Sequence, residues 1–235
     1  MTAPLNTAEA FGFTEALLTE VNASIAKLRW LNQDQTPVFG MPGCSEEQLE
    51  RFMSYTNMTL PPDLRWLAMN TYDPGGHFFD WIIRPDRVSE AVDWVMQGIE
   101  TDLENNSIWF DRWGERPPEA ETRKEVFRAD FETWPKIVPI WGHRFAQIEP
   151  CEPGQPVYSV MQSDIIYYGA DLPRWLRKEF LPSPDWSGFD AEPVNSAWGR
   201  FGRNEGVVRG NADKQDELMA KALNNLANSF DKLKP

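Results

Sequence analysis

The chain has 235 residues, of which 41% are hydrophobic and 13% aromatic, and it carries a formal net charge of −13. That apolar content excludes a disordered protein and supplies the core of one large domain, or of a domain of roughly 130–180 residues decorated at its ends. The acidity excludes the Lys- and Arg-rich surface through which proteins hold nucleic-acid phosphates or an anionic membrane, and suits either solubility alone or a basic protein partner.

The first segment reads as a helix, because Leu17, Leu18, Val21, Ile25, Leu28 and Leu31 recur at three- and four-residue steps and share a face. Gln33-Asp34-Gln35-Thr36-Pro37 ends it. Ser45-Glu46-Glu47-Gln48 is a Ser-x-x-Gln capping box, which opens a second helix to about Tyr55 with Leu49, Phe52 and Met53 inward. Leu60-Pro61-Pro62-Asp63-Leu64 opens a third, since a proline early in a helix gives up an N–H that has no intrahelical partner. Asp73-Pro74-Gly75-Gly76 predicts a turn, and His77–Ile83 after it a strand. Ser89 is placed to cap a fourth helix, with Val92, Val95, Ile99 and Leu103 inward.

Ile108–Gly114 reads as an aromatic loop, followed by a short charged helix from Ala120 to about Phe131. Strands are expected at about 136–148, 156–162 and 164–168, and Asp171 caps a helix over Leu172–Phe180. Leu181–Gly210, rich in Pro, Gly, Trp and Arg without periodicity, predicts a loop or wrapping segment. A last helix over about 212–233 aligns Leu218, Ala222, Leu226, Phe230 and Leu233. The terminal helices bury their stripes on the central domain or in a dimer. The expected organisation is an N-terminal helix in 1–35, a domain over 40–180, and a wrapping tail with a helix over 181–235.

Chemistry finds few residues to work with. No Gly-x-Ser-x-Gly elbow is present, and neither Cys44 nor Cys151 sits beside a base. His77 and His143 are the only histidines and have no metal-ligand spacing, while Asp80, Asp86, Asp111 and Asp164 are scattered. No glycine-rich phosphate loop occurs, so no cofactor, no metal and no catalytic residue is expected. No apolar run reaches the length of a membrane span, and Met1–Leu5 lacks the basic flank and apolar core of a signal peptide. The expectation is a soluble, cytoplasmic protein.

The polar residues His143, Arg144, Gln162 and Asp164 stand out within otherwise apolar strands. Alternation puts His143 and Phe145 on one face and Arg144 on the other. One reading is a polar brace, in which Arg144 pairs with Asp164 or another acid, because an interior charge needs a partner. The other has these residues lining a groove that receives a partner's loop, or a small ligand. The aromatic loop, with Trp109, Asp111 and Trp113, is a second candidate contact surface, since Trp anchors many interfaces.

Two blocks together resemble the SMI1/KNR4, or SUKH, superfamily. The first is Pro42-Gly43-Cys44-Ser45-Glu46-Glu47-Gln48-Leu49, with Leu60-Pro61-Pro62-Asp63-Leu64-Arg65, Asn70 and Gly75-Gly76. The second is Val138–Phe145 with Ser159-Val160-x-Gln162-x-Asp164–Gly169 and Leu172. The resemblance spans about residues 40–180. It implies an α+β domain, a mostly antiparallel sheet with helices packed on one side, extended here by N- and C-terminal helices. It also implies a non-enzymatic protein-binding role. Bacterial members act as immunity proteins that neutralise a cognate toxin, often a nuclease; fungal relatives act as scaffold or regulatory interaction proteins. For this chain it implies a basic toxin domain as partner.

Overall fold

A computed structural model of the chain describes residues 6–28, 31–106, 108–182 and 197–202. Helix α1 (Asn6–Ala10) leads into α2 (Glu15–Ile25), whose first turn is capped by Thr14 Oγ1 accepting from the Leu17 N–H at 3.2 Å. Leu17, Val21 and Ile25 of α2 are fully buried, as their spacing predicts. Strand β1 (Val38–Phe39) follows, then α3 (Glu46–Thr56). The predicted capping box is present in both directions: Gln48 N–H donates to Ser45 Oγ at 3.2 Å, and Ser45 N–H donates to Gln48 Oε1 at 2.7 Å.

Helix α4 (Pro62–Met69) begins on its proline, and β2 (Thr71–Tyr72) pairs antiparallel with β1. Gly43 lies where this small ribbon crosses the end of α4. A Cβ there would stand 2.2 Å from the Ala68 carbonyl oxygen and 2.4 Å from that of Thr71, so no larger residue fits. Asp63, the acid of the Leu-Pro-Pro-Asp segment, is buried and accepts from the N–H of Gly154 at 2.7 Å and of Leu64 at 3.0 Å. It pins the loop at Gly154 to the start of α4.

His77–Ile83 is not a strand. The Asp73 carboxylate accepts from the N–H groups of His77 (3.0 Å), Phe78 (2.8 Å) and Phe79 (3.1 Å), which satisfies the donors a ladder would have used. The chain then turns into α5 (Asp80–Ile83) and α6 (Asp86–Asn105). Helix α6 starts one turn before Ser89, directly after Pro85, so Ser89 is an exposed interior residue rather than a cap. The earlier start adds buried Val88 to the stripe of Val95, Ile99 and Leu103.

The aromatic segment contains one 3₁₀ turn over Asp111–Trp113, and α7 (Ala120–Phe131) follows as expected. The predicted strand over 136–148 is a hairpin: β3 (Ile137–Trp141) and β4 (Arg144–Gln147) joined by Gly142-His143. Gly142 takes the positive φ of 52° that a two-residue turn between twisted strands requires at its first position. Strands β5 (Val157–Met161) and β6 (Asp164–Gly169) complete an antiparallel sheet in the order β3-β4-β5-β6. Asp171 caps α8 (Leu172–Phe180) by accepting from the Arg174 N–H at 2.8 Å. Helix α9 (Ala197–Gly202) lies within the segment read as a wrapping loop, while the helix expected over 212–233 falls outside the described residues.

The class is α+β with antiparallel sheets. The helices cover both faces of the four-stranded sheet, not one. On one face Val138, Ala146 and Val157 join the core formed by α2, α3, α4 and α8. On the other, Ile137, Phe145, Tyr158, Val160 and Ile165 pack with α6, Phe127 of α7, and Trp198 and Phe201 of α9. Period-2 alternation explains how one set of strands feeds both cores. The N-terminal helix α2 is built into the first of these cores rather than standing apart.

Candidate functional site

Of the residues singled out by sequence, His143 and Arg144 meet at one end of the sheet. Arg144 projects onto the face that carries α8. Its Nε donates to Glu179 Oε2 at 2.9 Å and its Nη1 to Ser159 Oγ at 2.8 Å. Its guanidinium lies 3.9 Å from the centre of the Tyr168 ring, and Lys178 Nζ lies 4.3 Å from the same centre. His143, in the hairpin turn, places Nε2 against Arg144 Nη1. Burial, and then the neighbouring guanidinium, hold His143 below the ordinary imidazole range, so the neutral ring accepts that bond. Burial and Glu179 push Tyr168 up; burial and Arg144 push Lys178 down.

This cluster is the polar brace, with a different acid in it. Asp164 is exposed at the start of β6, across the ladder from Met161, and does not reach Arg144. Gln162 is also separate from it. It occupies the first position of the β5–β6 turn at φ 55° and packs against Gly98 of α6. The next residue, Ser163, donates to the Asp102 carboxylate through its N–H at 2.9 Å and its hydroxyl at 2.5 Å. The expected groove containing all four residues is therefore two places: a brace beneath α8 and a turn docked on α6.

The aromatic loop does not offer its rings to solvent. Trp109 is only 3% exposed, and its indole N–H donates to the Gly114 carbonyl at 2.8 Å. Trp113 is half-buried edge-on to Trp109 and Phe110, and Asp111 is exposed. Arg112 covers Phe110 at 4.5 Å and pairs with Asp130 at 2.7 Å, so the loop closes a core. Its aromatic content reflects packing with α7 and α9.

A cleft of about 460 Å³ opens between Pro42–Cys44, Thr71–Gly76 and α5. Its acids are already engaged, Asp73 by backbone N–H groups and Asp80 by Arg84. Cys44 on its wall is a free thiol pushed up to about 11 by burial, and Cys151 is a free, exposed thiol elsewhere. Among the described residues no group of three or more His, Cys, Asp or Glu side chains is placed to hold a metal ion. No described helix is long and apolar enough to cross a membrane.

Sequence reading missed the exposed apolar residues on regular elements. Tyr55 on α3 and Trp94 on α6 are 68% and 46% exposed, and Met161 and Ile166 flank the β5–β6 turn on the outside. The signal was available for Trp94, which lies off the inward stripe of its own helix. The chain matches no protein-family model, no curated protein and no solved structure.

Proposed function

We propose that this protein is a non-enzymatic binding module of the cytoplasm that neutralises a toxin domain by covering a basic surface on it. The observation that carries the reading is a set of large apolar side chains, Tyr55, Tyr72, Ile83 and Trp94 among them, exposed on helices and strands of a chain with a net charge of −13. Exposed aromatics anchor interfaces, and a field of one sign steers and selects partners of the other. The two sequence blocks that resemble the SMI1/KNR4 superfamily support the same role, including a nuclease as the target. Asp63 and Gly43 of the first block and Arg144 of the second serve folding contacts, which leaves the outer surface to choose the partner.

The test is co-expression with basic toxin domains, taken first from any reading frames next to the gene for this chain. Survival of cells carrying both, and death of cells carrying the toxin alone, is the expected outcome. Death at equal rates in both cultures sinks the proposal.

A further inference from the structure

Helix α6 has an inner stripe buried on the sheet and an outward arc that is exposed along its first three turns and passes under α7 at Glu100 and Glu104. Asp86, Glu90, Asp93, Trp94 and Gln97 lie on that arc, all exposed, at spacings that keep them within about a third of the helix circumference. Tyr55 of α3 borders it, and its hydroxyl donates to Asp86 Oδ1 at 2.9 Å, bridging the two helices. At the other end the arc runs into the β5–β6 turn, where Gln162 lies over Gly98.

The C-terminal half of α6 is anchored: Glu100 pairs with Arg128 at 2.6 Å and Glu104 with Arg123 at 2.9 Å, both on α7, and Asp102 accepts from the Ser163 N–H at 2.9 Å. An anchored helix that presents Trp94 beside carboxylates, with the Tyr55 ring of α3 at its border, loses little freedom when it is covered, which is the condition for a binding hot spot.

Charge names the occupant. The arc offers Asp86, Glu90 and Asp93 against one cation, Arg87, which stands 3.8 Å from Glu90. A second copy of this acidic chain, or a nucleic acid, meets repulsion there; a protein segment bearing Lys and Arg does not.

We infer that the outward arc of α6 with Tyr55 of α3 is the surface that receives the toxin domain, and that the partner brings a Lys/Arg-bearing segment whose apolar side chains or stems cover Trp94 and Tyr55. The inference rests on the proposed neutralising role and fixes where that role resides.

The experiment uses the full chain and a basic toxin domain, chosen by the co-expression test and inactivated at its active site, with binding followed by surface plasmon resonance at two salt concentrations. Wild type binds, and more weakly at high salt. Trp94→Ala weakens binding about 30-fold or more, mostly through faster dissociation. The triple variant Asp86→Lys, Glu90→Lys, Asp93→Lys lowers the association rate at least tenfold and flattens its salt dependence. A control triple, Glu115→Lys, Glu119→Lys, Glu132→Lys, changes net charge equally at exposed positions away from the arc and retains tight binding. All variants melt as wild type does.

Failure of wild type to bind overturns the neutralising role itself. Wild-type binding with Trp94→Ala and the arc triple both within twofold of it overturns this surface and leaves the role standing. Equal losses in the two triples assign the effect to bulk charge and overturn the surface. A Trp94-dependent dimer in sedimentation makes the occupant a second copy, which also overturns the inference.

Discussion

Arg144 of β4 and Glu179 of α8 form an ion pair at 2.9 Å, with side chains only 13% and 15% exposed, although 35 residues separate them in the chain. The pair ties α8 to the turn end of β4, and Ser159, His143 and Tyr168 surround the guanidinium. A charge this far from water is tolerable because Glu179 takes its Nε, Ser159 and His143 take its Nη1, and the Tyr168 ring lies over its face.

Glu179→Ala leaves that guanidinium buried without its carboxylate and is expected to cost about 3–5 kcal/mol in urea unfolding. The double variant Arg144→Met, Glu179→Met removes both charges and costs clearly less than Glu179→Ala. Strict additivity of Arg144→Met and Glu179→Met, each also measured alone, would show that the residues are not coupled.

His143 gives the brace a pH dependence. Its folded-state pKa lies below the ordinary 6.5, through burial first and Arg144 second, with Glu179 opposing. The unfolded chain takes up the proton near 6.5 while the folded chain resists it. The stability associated with this group is therefore complete above 6.5 and is lost progressively as the pH falls toward the folded-state value. His143→Gln is expected to lose less in its urea midpoint than wild type does between about pH 7.5 and 5.5. Parallel losses in the two proteins would exclude His143 as the source.

Much of the helical frame was legible, because its signals are local. The box at Ser45–Gln48, the proline at α4 and Asp171 before α8 each act within a turn of the residues they cap. His77–Ile83 was misread because its aromatic residues fit a strand, and the competing acceptor, Asp73, lies four to six residues upstream. Gly142-His143 was hidden inside an apolar run, since Gly-His is a weaker turn marker than Asn-Gly. The brace was legible as a need, a buried arginine wanting an acid, but not as a pair. Asp164 was nearer in sequence, whereas Glu179 is brought in by the docking of α8. The burial of Trp109 depends on α7 and α9 folding around it, which no local pattern records.

Asp63 is held above its ordinary 3.8 by burial, in spite of the N–H groups of Gly154 and Leu64 that favour the carboxylate. A raised acid stabilises the fold when protonated, and that contribution is lost as pH rises through the folded-state value. Asp63→Asn keeps one acceptor oxygen without the charge but turns an NH2 toward the other N–H donor, so it is expected to be weaker than wild type, with a smaller deficit near neutral pH than in acid. Asp63→Ala strands the Gly154 N–H and costs about 1–3 kcal/mol. Thermal unfolding at two pH values checks both. An Asn deficit of the same size at both pH values would show that the raised acid of Asp63 contributes nothing to the pH dependence.

Gln162 stores strain in the turn that docks on α6. At φ 55° it occupies the left-handed region, which costs an L-residue about 1–2 kcal/mol. Two features keep it there: Gly98, where a Cβ would stand 3.2 Å from Gln162 Cα, and Asp102, which takes both donors of Ser163. Gln162→Gly relieves the strain but frees the unfolded chain, so a net gain of up to about 1 kcal/mol is expected. Asp102→Ala leaves the Ser163 N–H without its acceptor and costs about 1–3 kcal/mol. Once Asp102 is gone the turn relaxes, so Gln162→Gly should gain less in that background. A shortfall in the double-variant cycle, measured by urea unfolding, identifies Asp102 as the group that holds the turn in its strained form. Full additivity would place the strain in the hairpin alone, independent of its seat on α6.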